Sequence, residues 1–277
     1  MTINCKGALI DLSTPKVMGI LNLTPDSFYD GGKYKDEHSI LKQVERMLSD
    51  GATFIDMGAY SSRPGAEHVP EDDELKRMLP ILELILNNFP ETIISIDTFR
   101  SKVALESIQQ GAAIINDISA GNLDGDMLNV IAECQVPYIM MHLKGTPQSM
   151  QKEATYDDML KDLLIYFSKK VKDTTSKKIN DVIIDPGFGF AKTTAQNYKL
   201  LGNLDLFKTF EVPILVGLSR KSMIYKILKS SPKEALNGTS ALHTVALLKG
   251  ANILRAHDVK EAMECIKLVQ ELNVNAK

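Results

Sequence analysis

Short apolar runs recur along the chain, and most are followed by a longer stretch with helical spacing. The runs are Lys16–Leu21, Thr53–Met57, Thr92–Ile96, Ala112–Ile115, Pro137–Met141, Asp181–Ile184, Val212–Val216 and Asn252–Leu254. Most hold Ile, Val, Leu or Met at successive positions, without the in–out alternation of a half-exposed strand. Such runs predict strands buried on both faces, as in a parallel sheet. Between them, Ser39–Leu48 sets Ile40, Leu41, Val44, Met47 and Leu48 on one helical face. Asp72–Leu86, Ser101–Gln109, Met127–Glu133, Tyr156–Val171, Ala235–Leu248 and Lys260–Leu272 carry similar stripes. Gly51, Gly111 and Gly250 sit where such a helix gives way to the next run, a place for a left-handed residue. Strand–helix alternation predicts α/β with parallel strands, and eight units in 277 residues predict closure into a single (β/α)8 TIM barrel. Residues 1–277 read as one domain, with the short segment before Lys16 capping the barrel bottom.

Composition changes this picture little. Hydrophobic residues at 44% and charged residues at 24% suffice for a full core. A formal net charge of −3 gives no reason to expect a nucleic-acid partner, so any anion site must be local. Cys5, Cys134 and Cys265 are far apart and odd in number, which argues against a disulfide framework or zinc site and suits a reducing cytoplasm. Met1–Leu12 lacks the pattern of a signal peptide, and no segment is long and apolar enough to predict a membrane span.

In such barrels the active site lies at the C-terminal ends of the strands. The runs end there in Asn22, Asp56, Asp97, Asn116-Asp117, His142, Asp185-Pro186-Gly187-Phe188-Gly189-Phe190, Ser219-Arg220-Lys221-Ser222 and Arg255-Ala256-His257. Ser61-Ser62-Arg63-Pro64-Gly65 follows the second run. Any one Asp, Asn or Ser here reads first as a helix cap. His142 alone reads as a hydrogen-bonded rim residue, Arg220 as a solvated charge, and Glu71–Glu74 as a solvated acidic helix start. Convergence of all of them on one rim favours a site. Arg63, Arg255 and His257 offer donors to anionic oxygens, and Asn22 offers a neutral oxygen to Mg²⁺. Asp97, Asp185 and Asn116 suit the donor-rich edge of a heterocycle. There is no Gly-x-x-x-x-Gly-Lys-Ser/Thr loop, so the set points to a diphosphate-bearing heterocycle.

These loops also resemble a known family. Gly19-Ile20-Leu21-Asn22-Leu23-Thr24-Pro25-Asp26-Ser27-Phe28 with Asp30-Gly31-Gly32 is similar to the first signature of the dihydropteroate synthases. Ile55-Asp56-Met57-Gly58 with Ser61-Ser62-Arg63-Pro64-Gly65-Ala66 resembles the second, and the later rim motifs follow in order over nearly the whole chain. The resemblance implies condensation of 6-hydroxymethyl-7,8-dihydropterin diphosphate with p-aminobenzoate, by dissociative displacement at the exocyclic methylene. It implies that Asp97, Asn116, Asp185 and Lys221 hold the pterin, with Ile118, Met140, Phe190 and Gly217 lining its slot. Ser62, Arg63, Asn22, Arg255 and His257 would bind diphosphate, with Asn22 at Mg²⁺. Phe28, Pro64, Lys221 and Ser222 would frame the aminobenzoate, where sulfonamides would compete. Asp30, Arg63 and Lys221 would act in catalysis, and a homodimer through Ala235–Leu248 and Lys260–Leu272 is implied. Two positions depart from the family pattern: Tyr60, where many members have Glu or a small residue, and Ser62, where many have Thr. The competing readings are a corrinoid-linked pterin methyltransferase, which needs no diphosphate site, and a non-catalytic pterin-binding paralogue, which would show eroded loops.

Overall fold

The computed structural model describes residues 1–23, 33–60 and 68–275, with the side chains of residues 33–36 and 151 excepted. The chain opens on an antiparallel hairpin, β1 (Thr2–Cys5) and β2 (Ala8–Asp11). There follow β3 (Lys16–Asn22), α1 (Lys33–Ser49), β4 (Phe54–Gly58), α2 (Glu71–Asn88), β5 (Ile93–Asp97) and α3 (Ser101–Gln109). Next come β6 (Ile114–Asp117), α4 (Met127–Cys134), β7 (Tyr138–Met141), α5 (Met159–Ser176), β8 (Val182–Asp185) and α6 (Thr194–Gly202). The chain ends with β9 (Leu215–Val216), α7 (Ser222–Leu228), α8 (Leu236–Leu248), β10 (Ile253–Ala256) and α9 (Val259–Asn275). Strands pair in parallel in the order β8-β7-β6-β5-β4-β3-β10-β9. The circle closes on one parallel bridge between Ile184 and Ile214, where the Ile184 N–H donates to the Pro213 carbonyl at 3.0 Å.

Alternation along each strand sorts the side chains into two layers. Val17, Ile55, Ile115, Tyr138, Ile184, Val216 and Leu254 belong to the core that packs beneath the helices. Met18, Phe54, Ile114, Ile139, Ile183, Leu215 and Ile253 point inward and form a plug with Ile3, Cys5 and Leu12 of the N-terminal hairpin. Both phases are apolar at the strand starts, which is why the runs show no alternation. The hairpin therefore caps the barrel bottom. Asn4 N–H donates to Asp181 at 3.0 Å, Lys6 Nζ to the Gly111 carbonyl at 3.1 Å, and Asn252 Nδ2 to the Leu12 carbonyl at 3.0 Å. Two residues above the plug the inward positions turn polar: Asp56, Asn116, Asp185 and Arg255.

Gly51, Gly111 and Gly250 have φ of +102°, +117° and +103°, the left-handed turn expected between helix and strand. Three expectations are corrected. Glu71–Glu74 is not wholly solvated: Glu74 is fully buried, because it shares the inward face of α2 with Met78 and Leu82. It accepts from Thr98 Oγ1 at 2.7 Å and pairs with Arg100. The fifth helix begins at Met159 rather than Tyr156, whose hydroxyl instead donates to the Ala191 carbonyl at 2.9 Å. α6 lies where no helix was expected, whereas α7 begins at Ser222, as the reading of Lys221 and Ser222 at a helix start implies. α6 opens on a capping box in which Thr193 and Gln196 satisfy each other's backbone N–H groups.

Candidate active site

The deepest part of the rim is a network around Asp56, which is fully buried on β4. Its Oδ1 accepts from Ser95 Oγ at 2.6 Å, and its Oδ2 accepts from Asn116 Nδ2 at 3.0 Å and Arg255 Nε at 2.6 Å. Arg255 Nη2 reaches on to Asp97 Oδ2 at 2.8 Å. Strands β4, β5, β6 and β10 thus meet through one carboxylate. Gly58 makes room for Asp97, since a Cβ at 58 would lie 3.4 Å from the Asp97 Cβ. Burial pushes Asp97 up to about 7, against the pull of Arg255. Burial also works against the charge of Arg255, but Asp56 and Asp97 outweigh it and leave the guanidinium more basic than usual.

Across the rim, Asp185 ends β8 and Lys221 precedes α7. Burial raises the Asp185 carboxyl, opposed first by Lys221 and by the Gly187 N–H, which donates to it at 2.8 Å. Lys221 is brought down to about 8 by burial, with Asp185 opposing. Its ammonium donates to the Phe188 carbonyl and stands 4.7 Å from the centre of the Phe190 ring. Phe190 packs against an apolar cluster that contains Ile118 and Met141.

Met141 replaces Met140 as the residue of β7 on this side. Met140 lies fully buried in the core beneath the helices. The reason is parity: inward-facing Asn116 stands opposite inward-facing Ile139, so the next inward position on β7 is Met141.

His257 is tied to Ser219, with its Nδ1 3.0 Å from the Ser219 hydroxyl and its backbone N–H donating to that oxygen at 3.1 Å. Arg220 is not a solvated charge. Its Nε and Nη2 donate to the two oxygens of Asp258, both at 2.8 Å, which fixes the β9 and β10 loops to each other. Gly217 is buried beside Lys221, Ser222 opens α7, and Asn22 ends β3 opposite Gly58. Phe28, Asp30, Ser62, Arg63 and Pro64 lie outside the described residues.

Two buried groups went unassigned in the sequence reading. One is Asp56, an acid inside an apolar run; a charge at such a position must be paired, and that was the available signal. The other is Lys192, which is 4% exposed. Its Nζ lies 3.1 Å from His142 Nδ1 and donates to the carbonyls of Gly187 at 3.0 Å and Phe190 at 3.1 Å. Burial lowers Lys192 to about 7, with Asp185 opposing, and burial followed by Lys192 holds His142 neutral. Lys192 thereby shapes the loop that carries Phe190. Gly187 within it has φ of +75°, and a Cβ there would strike the His142 carbonyl. Tyr60, the departure at the second loop, is buried: its hydroxyl accepts from Gln148 Nε2 at 2.7 Å and its ring meets Phe99 edge-on at 5.0 Å. Among the described residues, no group of three or more His, Cys, Asp or Glu side chains is placed to hold a metal.

Comparison with known proteins completes the picture. Residues 18–257 match the pterin binding enzyme family. The chain is 42% identical over 279 aligned positions to the dihydropteroate synthase of Escherichia coli K12, covering 100% of this chain and 98% of that one. It superposes with a TM-score of 0.92 on the Yersinia pestis dihydropteroate synthase solved as a sulfonamide drug complex, at 41% identity, covering 99% and 100% of the two chains. A Xanthomonas albilineans dihydropteroate synthase solved with 4-aminobenzoic acid superposes at 0.91, with 33% identity and 98% of each chain covered.

Proposed function

The chain belongs to the pterin binding enzyme family, among its dihydropteroate synthases, and from that membership we propose how its rim divides the work. The enzyme joins 6-hydroxymethyl-7,8-dihydropterin diphosphate to p-aminobenzoate and releases 7,8-dihydropteroate and diphosphate. The bond from the exocyclic methylene to the diphosphate oxygen breaks, and diphosphate leaves with the electron pair. The methylene cation, stabilised by the pterin ring, is attacked by the arylamine nitrogen, which then sheds a proton.

Asp97, Asn116, Asp185 and Lys221 read the pterin edge, with Ile118, Met141, Phe190 and Gly217 around the ring. Convergence of these four polar groups on one buried rim is the observation that carries this assignment. Arg255 and His257 face the leaving diphosphate, where negative charge grows. Arg255 gives Nε and Nη2 to Asp56 and Asp97, which leaves Nη1 for a phosphate oxygen. Ser222 and Lys221, at the start of α7, support one side of the aminobenzoate site, for which sulfonamides compete. Phe28, Pro64, Ser62, Arg63 and Asp30 keep the roles that the family resemblance implies. Asn22 would supply one neutral oxygen to Mg²⁺, a hard cation that takes oxygen ligands. When bound, Mg²⁺ offsets charge on the departing diphosphate. Neither a methyltransferase nor a non-catalytic reading is favoured, since the relatives are synthases.

Asp185→Asn is the test. A charged hydrogen bond contributes about 1.5–3 kcal/mol, so calorimetry is expected to show pterin affinity reduced about tenfold or more, with turnover falling alongside. Unchanged binding removes Asp185 from the site, and no product from wild-type enzyme with both substrates overturns the function. Outside the site, Leu268 is 72% exposed and Leu272 54% on α9, beside Leu248 at 51% on α8. These side chains support a homodimer through α8 and α9. Sedimentation equilibrium of Leu268→Glu is expected to show monomer where wild type shows dimer.

A further inference from the structure

Asp56 is assigned no contact with the substrate, yet it binds two of the groups that are. We propose that Asp56 is a positioning residue that decides which ring the slot accepts, by fixing the amide of Asn116 in one sense. The inference rests on the assignment of Asn116 to the pterin.

A carboxylate beside a guanidinium offers lone pairs only. At 3.0 Å from Asp56 Oδ2, the Asn116 amide must therefore present its NH2 group. Turned over, it would set Oδ1 against Oδ2, two acceptors face to face in a buried position. Asn116 is 5% exposed, so the clash would fall in a buried place, where an unmet acceptor is costly. Asp56 has no freedom to yield either. Ser95 holds its Oδ1 at 2.6 Å and Arg255 shares its Oδ2 at 2.6 Å. The three donors come from three different strands, so the carboxylate is fixed from several sides.

Asn116 Oδ1 is then the atom turned away from Asp56, towards the ligand. An acceptor in that place selects a ring that carries an amino or N–H donor there. A pterin has an amino group on its pyrimidine ring; a lumazine has a carbonyl oxygen at the same position and is otherwise nearly the same size. The fixed amide welcomes the first and opposes the second. Removing the carboxylate, as in Asp56→Ala, would lift the constraint, because no acceptor would then oppose a turned Asn116; an amide would not, since Arg255 Nε would still hold its oxygen against Asn116.

The experiment titrates 6-hydroxymethylpterin and 6-hydroxymethyllumazine, neither bearing diphosphate, into the full chain by calorimetry. Wild type is expected to prefer the pterin. Asp56→Ala is expected to reduce the ratio of the two affinities about tenfold or more, with lumazine binding gained relative to pterin. A merely structural defect lowers both affinities together and leaves their ratio intact, and that result overturns the proposal. Asn116→Ala separates the two layers of the argument. If it leaves pterin affinity unchanged, the assignment of Asn116 to the pterin fails. If it weakens pterin while Asp56→Ala keeps the wild-type ratio, only the role of Asp56 fails. Should Asp56→Ala not fold, wild-type enzyme binding both rings equally overturns the proposal by itself.

Discussion

Single side chains at this rim act through what burial does to their charge. Lys221 needs its proton to face a pterin oxygen or the developing anion, and burial has brought it to about 8. Below that pH the ammonium is present; above it the charge is lost. The profile of kcat/KM for pterin diphosphate reports the free enzyme, so it is expected to fall as pH rises through about 8. Lys221→Arg, whose charge persists, is expected to lack that alkaline limb whatever its overall rate. A limb that persists unchanged in the arginine variant assigns it to another group. At this scale the sequence displayed the kinds of chemistry but not their pairing. Asp185 and Lys221 were legible because each ends a strand motif. Asp56 was legible at the rim but not in its role, and Lys192 not at all, because a lone acid in an apolar run and a lone lysine before a helix look like many structural residues. Met140 was misplaced because Pro137-Tyr138-Ile139-Met140-Met141 is apolar on both faces. Only the register against β6 decides which methionine points inward.

Elements were read best where burial alone forms them. The strands of the barrel fell on the apolar runs, and the helices with broad stripes were found within a few residues. α6 escaped because a nine-residue helix completes too few turns to show a stripe. The β1–β2 hairpin was read as a cap but not as strands, since four residues on each side are too short a run to stand out. α2 shows the opposite failure, in which a run of four acidic residues hid one that faces inward. Glu74 and Arg100 there form a buried pair with Thr98, and Arg100 also donates to the Val69 carbonyl at 2.6 Å. Removing one partner of such a pair strands the other charge, at a cost of about 3–5 kcal/mol. Arg100→Met is therefore expected to lower the denaturation midpoint substantially in a urea titration. A midpoint equal to that of wild type shows Glu74 to be solvated after all.

The whole molecule places rigidity and chemistry at opposite ends. The plug of Ile, Leu, Met and Phe side chains closes the bottom, and the polar layer opens two residues above it. The circle of strands is nonetheless uneven. β4 shares four or five registered positions with each neighbour, whereas β8 and β9 meet only through Ile184 and Ile214. That junction is a seam, and Asp185 and Lys221 stand on its two lips. A ligand gripped by both acts as a staple across the weakest join of the barrel. Local opening follows local stability, so deuterium is expected to enter the Ile184 amide faster than the amides of β4 in the free enzyme. Adding pterin is expected to slow that uptake more than any in β4. Equal protection throughout would mean that the barrel has no seam, and that the ligand finds its pocket already sewn shut.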